Sequence, residues 1–389
     1  MGGIGAQRID AQDGARQQET VQSVLKDLAT QPGVVLADEV GMGKTYVALA
    51  VVASAVLANR GSRRPVVVMM PPGLASKWPR EWDQFKTICC ARPAALAWVR
   101  DKYVHTPTDF FKLLDDPRDR RPHIVWMTTG CFDRGLSDSW TKLALVRIAR
   151  SRTRMDDETK KKLYKWAATL VRLKRKRYLT PEIVEELLQS DLSKWHRIFI
   201  REQILGNDDD DPVSQHLLQH QRDIDWGPLV AVLRGEAIPG RRGMVSDKRL
   251  QEARWDFNAA CQQVYWEWLS RVQWRAPLFV LDEAHHAKND NTRLASLLRS
   301  DETQLLIGGK LATGKPLLWE KFDRMLFLTA TPFQLGHHEL IRVLRSFAAA
   351  KWSGQNAPNG SREDFLYAIG ELEKRLNENR LAARRLAVC

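Results

Sequence analysis

Five short runs of unbroken apolar residues punctuate the chain, at 34–37, 66–70, 124–128, 278–281 and 325–329. A strand with one wet face alternates apolar and polar residues, whereas a strand covered on both faces reads as a continuous apolar run. The five runs therefore predict buried strands of a parallel sheet. Residues 45–57, rich in Ala and Val, follow the first run directly, and residues 76–85 follow the second. Both read as helices. This alternation predicts an α/β fold with right-handed crossovers.

The stretch between the third and fourth runs is far longer than one crossover needs. It predicts a mostly helical insertion over residues 132–274. Leu163, Trp166, Ala167, Leu170 and Val171 recur at helical spacing, as do Leu250, Phe257, Cys261, Val264 and Trp268. Thr180-Pro181-Glu182 offers an N-cap hydroxyl, a proline for the first helical position and an early carboxylate. Residues 207–212, with four consecutive Asp, read as a solvated linker, and 235–243 as a Gly/Pro/Arg-rich break. Residues 364–386 read as a charged amphipathic helix. The expected organisation is 1–131 and 275–348 as two parts of one α/β lobe, 132–274 as the insertion, and 349–389 as a helical segment.

Charge narrows the choice of partners. Lys and Arg total 60 against 47 Asp and Glu, a net charge of +13, which favours a polyanion, nucleic acid before an acidic membrane. The five cysteines, Cys89, Cys90, Cys131, Cys261 and Cys389, are odd in number and lack CxxC spacing. That argues against a disulfide scaffold or a structural zinc site. The polar, Gly/Gln-rich first residues lack the apolar core of a signal peptide, and no apolar run is long enough to span a bilayer. The expected location is the cytoplasm, with no membrane partner.

Three segments carry candidate chemistry. The first is Asp38-Glu39-Val40-Gly41-Met42-Gly43-Lys44-Thr45, between a predicted strand and a predicted helix. Backbone N–H groups in such a loop can wrap a phosphate, with Gly41 and Gly43 allowing close approach. Lys44 would reach the β- and γ-phosphates of a nucleotide and the Thr45 hydroxyl would bind Mg²⁺. The second is Asp282-Glu283-Ala284-His285, directly after the fourth apolar run. Carboxylates there sit where α/β sheets bind ligands. Asp282 would hold Mg²⁺ through water, and Glu283 would orient or deprotonate the attacking water. The third is Thr329-Ala330-Thr331-Pro332, where two hydroxyls can report on the γ-phosphate position.

In this order the three segments resemble the first motor lobe of superfamily 2 helicases. Leu36-Ala37-Asp38-Glu39 before Gly41-Met42-Gly43-Lys44-Thr45 is similar to the SWI/SNF-type phosphate loop, which carries Asp where the general pattern has Gly. Asp282-Glu283-Ala284-His285 followed by Lys288-Asn289 resembles that group's DEAH box, and Thr329 to Gln334 its motif III, with Ala330 where Gly is commoner. The resemblance extends to Pro71-Pro72, Lys77-Trp78, Glu81-Trp82 and Phe85 as motif Ia, and to Thr128-Thr129 as motif Ib. It implies a RecA-like fold, ATP and Mg²⁺ as ligands, nucleic-acid contacts at Lys77, Trp78, Thr128 and Thr129, and coupling roles for His285, Thr329 and Thr331. Gln17 takes the place of the adenine-reading glutamine, with Gln18 as the alternative register.

A complete motor of that family has a second RecA-like lobe supplying arginines to the γ-phosphate. The residues after Phe333 hold no strand–loop–helix series of that kind. The expectation is half a motor, completed by a second lobe in cis or in trans, that binds nucleotide and turns it over weakly or not at all alone. Between Thr141 and Arg177 there are 14 Lys or Arg against 3 Asp or Glu. These read either as a phosphate grip on duplex DNA or as a solvated helix face. Trp255, Trp266, Trp268 and Trp274 fit helix packing better than base stacking.

The leading expectation is the N-terminal ATPase lobe of a SWI/SNF-like DNA translocase or helicase. Within that family, the large insertion and Arg-rich composition resemble helicase subunits of bacterial restriction and phage-defence systems, a resemblance that implies such partners. The alternative is an ATP- and DNA-binding scaffold or switch without turnover.

Overall fold

The computed structural model describes residues 11–37, 43–90, 96–132, 135–158, 160–161, 163–164, 180–206, 211–221, 224–234, 247–284, 297–298, 305–307, 310–312, 316–329 and 337–386. Its centre is a six-stranded sheet in which every pairing is parallel. The strands are β1 (Gly33–Ala37), β2 (Val66–Met70), β3 (Asp101–Val104), β4 (Ile124–Thr128), β5 (Ala276–Leu281) and β8 (Phe322–Thr329), in the order β1-β8-β5-β2-β4-β3. Two further strands, β6 (Leu305–Ile307) and β7 (Lys310–Ala312), pair antiparallel apart from it.

The apolar runs are continuous because alternate residues feed two different cores. Val66, Val68 and Met70 of β2, Ile124 and Trp126 of β4, and Leu326 and Leu328 of β8 pack on one face. That face is covered by α1 (Ala11–Thr30), α2 (Lys44–Ala58) and α3 (Lys77–Ile88). Val67, Met69, Val125, Met127, Phe279 and Phe327 pack on the other. Burying an aliphatic or aromatic side chain is worth roughly 1.5–3 kcal/mol, so a one-residue register slip, which exchanges the faces, is strongly disfavoured.

The second face is covered by α4 (Pro107–Asp115) and by helices between β4 and β5: α5 (Ser139–Ser151), α6 (Pro181–Gln189), α7 (Trp195–Arg201), α8 (Gln215–Leu218), α9 (Gly227–Arg234) and α10 (Asp247–Arg271). Leu143, Val146, Phe257, Cys261, Val264 and Trp268 share one core with Val67, Met69 and Phe279 of the sheet. The helices of this stretch are thus the lid of the sheet rather than a unit with a core of its own. The expected helix start at Thr180 is present: its hydroxyl accepts the Ile183 N–H at 3.4 Å. Residues 165–179 and 235–246, including Lys174 to Arg177, lie outside the described residues, as do 207–210 of the expected linker.

Several elements are additions to the sequence reading, among them β6, β7, α4, β3 and α1. Strand β3 pairs only with β4 at the sheet edge, and only Val104 of its four residues is buried. It has no unbroken apolar run because an edge strand has little to bury. Helix α1 lies in the polar N-terminal stretch and docks through Val24 and Leu28, one turn apart. At the far end, α11 (His337–Arg345) precedes α12 (Arg362–Leu386), the expected charged helix. Among the described residues, no helix is long and apolar enough to cross a membrane.

Candidate functional site

In a parallel sheet all carboxyl ends emerge on one edge, and the register fixes their relative heights. Ala37 of β1 lies opposite Thr329 of β8, Leu281 of β5 opposite Phe327 and Met69, and Met70 of β2 opposite Thr128. Gly43 to Thr45, Asp282-Glu283, Thr329, Thr128-Thr129 and the start of α3 therefore follow one edge, where open α/β sheets form ligand crevices.

Helix α2 opens at Lys44 with Gly43 as its N-cap, at φ 80° and ψ 19°. That left-handed conformation is free for glycine and costs other residues about 1–2 kcal/mol. The Gly43 carbonyl accepts the N–H groups of Tyr46 at 3.0 Å and Val47 at 3.1 Å. Space is a second constraint. A Cβ at Gly43 would lie 2.2 Å from Nε2 of Gln17. Helix α1 thus lays Gln17 against the end of the glycine loop, while Gln18 is exposed. Lys44 and Thr45 are half-buried in the first turn of a 15-residue helix, whose N-terminal N–H groups carry positive potential.

Asp282 leaves the end of β5 with its backbone N–H bonded to the Met69 carbonyl at 2.9 Å. Its Oδ1 accepts the Glu283 N–H at 2.9 Å and its Oδ2 accepts the indole N–H of Trp78 at 2.8 Å. Burial pushes its carboxyl above the ordinary value; the Trp78 bond pulls it down, the Glu283 charge pushes it up, and the net direction is upward. Burial makes the ionised form costly, and a cation nearby would relieve that cost. The donor set of Asp282 carboxylate and Thr45 hydroxyl therefore fits a hard cation such as Mg²⁺. Glu283 stands at φ 53°. A non-glycine residue in that region stores strain, and such strain clusters at functional sites.

The other candidates divide. Lys77 is 49 % exposed and pairs with Glu81 at 3.5 Å, so its ammonium stays at the surface. Thr128 is buried and Thr129 is half-buried, its N–H bonded to the Met70 carbonyl at 2.9 Å. Thr329 is buried at the end of β8. Trp78 requires a correction. Expected as a nucleic-acid contact, it is 1 % exposed, its ring lies against Trp126, and its N–H is committed to Asp282. It has no surface to offer a phosphate backbone. Gly41, His285 and Thr331 lie outside the described residues, together with 38–40 and 42.

Among the tryptophans, Trp268 and Trp274 are core, Trp266 packs against it, and Trp255 is 71 % exposed. Sequence reasoning missed the role of Trp78 as a donor to the candidate metal carboxylate. The available signal was its place in the first turn after β2, the strand beside β5. Among the described residues, no group of three or more His, Cys, Asp or Glu could hold a metal ion by itself. No family model matches this chain, and no curated protein matches its sequence.

Proposed function

We propose that this chain is a RecA-like ATP-binding lobe of a DNA-dependent ATPase, a SWI/SNF-like translocase or helicase that couples ATP hydrolysis to movement on duplex DNA when completed by a second lobe. The observation that carries the reading is the convergence of Gly43 to Thr45, Asp282-Glu283 and Thr329 on the carboxyl edge of one parallel sheet, with Gln17 laid against Gly43. A basic turn with no partner carboxylates across the edge would support phosphate binding only. A carboxylate pair on the same edge would add hydrolysis.

The residues divide the work by their chemistry. Lys44, beside the positive end of α2, would balance the charge of the terminal phosphates. Thr45 and Asp282 would hold Mg²⁺, which supplies charge neutralisation of the phosphates when bound. Trp78 fixes the Asp282 carboxylate through the 2.8 Å bond, so its orientation is set before any ligand arrives. Glu283 would take the proton of the attacking water. Gln17 would read the adenine edge, and Thr329 would sense the γ-phosphate. Lys77 and Thr129 would meet the phosphates of the tracked strand. Proposed partners are DNA, the second lobe, and further subunits of a bacterial defence or restriction system.

The test is phosphate release from ATP by the purified chain, with and without duplex DNA, beside Glu283→Gln. The reading expects Mg·ATP binding with weak or no release by the chain alone, and any DNA-stimulated release should vanish in the variant while Mg·ATP binding persists. Release unaffected by Glu283→Gln contradicts the role of that carboxylate. No release even when a second lobe is supplied favours the scaffold or switch reading.

A further inference from the structure

The opposite, amino-terminal edge of the sheet carries its own charge cluster. Three loops enter the adjacent strands β2, β4 and β3 there. The first contributes Arg60, Arg63 and Arg64, the second Arg118, Arg120 and Arg121, and the third Arg100. The loops are bound to one another. The Arg63 guanidinium donates to the Arg118 carbonyl at 3.0 Å, the Arg100 carbonyl accepts the His123 N–H at 2.7 Å, and the His123 carbonyl accepts the Val66 N–H at 2.8 Å. The Arg60 guanidinium lies 4.8 Å from the Trp98 ring centroid, and Trp98 in turn meets His123 edge-on.

Neutralisation is sparse. Arg64 pairs with Asp323 at 3.0 Å. Among the described residues Arg60, Arg63, Arg100, Arg118 and Arg120 form no ion pair, and all but Arg63 are exposed. The loops carry two carboxylates, Asp116 and Asp119, and Asp101 at the start of β3 is engaged by the Trp126 indole N–H, which leaves the cations in excess. The local field is visible at His123, which burial first, then Arg63 and Arg100, push below its ordinary value.

We propose that this edge is a second nucleic-acid surface, which grips the phosphate backbone of a duplex on the side of the sheet away from the candidate nucleotide site. A five-residue strand separates the two edges by about 16 Å, so one group of side chains cannot serve both. Three adjacent strands set the loops over about 10 Å, a length in which a duplex presents on the order of six phosphate charges. Arginine rather than lysine fills the cluster, and its planar fork matches phosphate oxygens two at a time. A membrane surface fits less well, because the described residues of these loops present no row of exposed apolar side chains for insertion. The surface stands whether or not the other edge binds ATP.

The experiment is duplex DNA binding by anisotropy across a range of salt. It compares the unaltered chain, a variant with Arg60, Arg100, Arg118 and Arg120 all changed to Gln, and a control with exposed Lys26, Lys374, Arg375 and Arg380 changed to Gln. Each lost phosphate contact flattens the plot of log affinity against log salt by about 0.9. The expected flattening is about 3.6 in the edge variant and less than 1 in the control. Equal flattening in both, or none in the edge variant, overturns the proposal. So does loss of binding to phosphatidylserine vesicles in the edge variant with its DNA slope intact. Phenylglyoxal modification of the unaltered chain, read by mass spectrometry, needs no variant. DNA should protect Arg100, Arg118 and Arg120, and unchanged modification overturns the proposal.

Discussion

The indole Nε1 of Trp78 donates a 2.8 Å hydrogen bond to Oδ2 of Asp282, joining residues 204 positions apart in the chain. Both are drawn inward, Trp78 by the packing of α3 on the sheet and Asp282 by the end of β5. The bond ties the helix that follows β2 to the carboxylate that follows its neighbour β5.

Trp78→Phe keeps a ring in that pocket and removes the donor. Leaving a buried carboxylate oxygen short of a partner costs about 1–3 kcal/mol. Denaturant unfolding should show a loss of that size, and calorimetry a weaker Mg·ATP affinity. Asp282→Asn tests the other partner. Its amide offers one oxygen where the carboxylate offers two, so the amide NH2 is set against either the Trp78 indole N–H or the Glu283 N–H. The variant should lose about 1–3 kcal/mol of stability and bind no Mg·ATP.

Gly43 is required twice, by its φ of 80° and by Gln17. Gly43→Ala should lose about 1–3 kcal/mol of stability from backbone and steric terms together. Gln17→Ala added to it should restore only the steric part. A double-mutant cycle separates the two, and full additivity would mean that Gln17 does not press on the loop.

Glu283→Gly should relieve the left-handed strain, raising stability by on the order of 1 kcal/mol, while removing the proposed base. Thermal unfolding reads the first effect and ATP turnover the second. A fall in stability would mean that the Glu283 side chain holds the fold rather than strains it.

His123 gives a pH signature. Its folded-state value lies below the unfolded one, owing to burial and then Arg63 and Arg100, and its Nδ1 accepts the Arg100 N–H at 3.0 Å. The unfolded chain therefore binds the proton first as pH falls. Stability is full above about pH 6.5 and is lost progressively below it, until the folded state also takes the proton. His123→Gln should flatten this acid loss. A variant with the same pH profile as the unaltered chain would remove the assignment.

The central strands were legible because a strand buried on both faces writes an unbroken apolar run, and β2 and β4 coincide with their runs at 66–70 and 124–128. Strand β3 was not legible, since Asp101 and Lys102 face solvent at the edge. The helices Pro181–Gln189 and Asp247–Arg271 were legible, the first from its Thr180 cap and the second from the spacing of Phe257, Cys261, Val264 and Trp268. Their shared core with Val67 and Phe279 was not, because spacing shows a buried face and not what covers it. Trp78 was misplaced for a physical reason already in the sequence. Trp78, Trp82 and Phe85 stand at i, i+4 and i+7, the stripe of a buried helix face, and that pattern outranks a motif's expected contact. Gln17 rather than Gln18 lies against Gly43 because of the turn of α1, which sequence spacing alone does not fix.

The most direct measurement is Mg·ATP binding by calorimetry to the unaltered chain and to Lys44→Ala, with thermal unfolding as a check that both are folded. The account predicts one equivalent bound by the unaltered chain and binding lost in the variant. No binding to the folded, unaltered chain, or equal affinity in the two, would contradict a nucleotide site at this edge of the sheet.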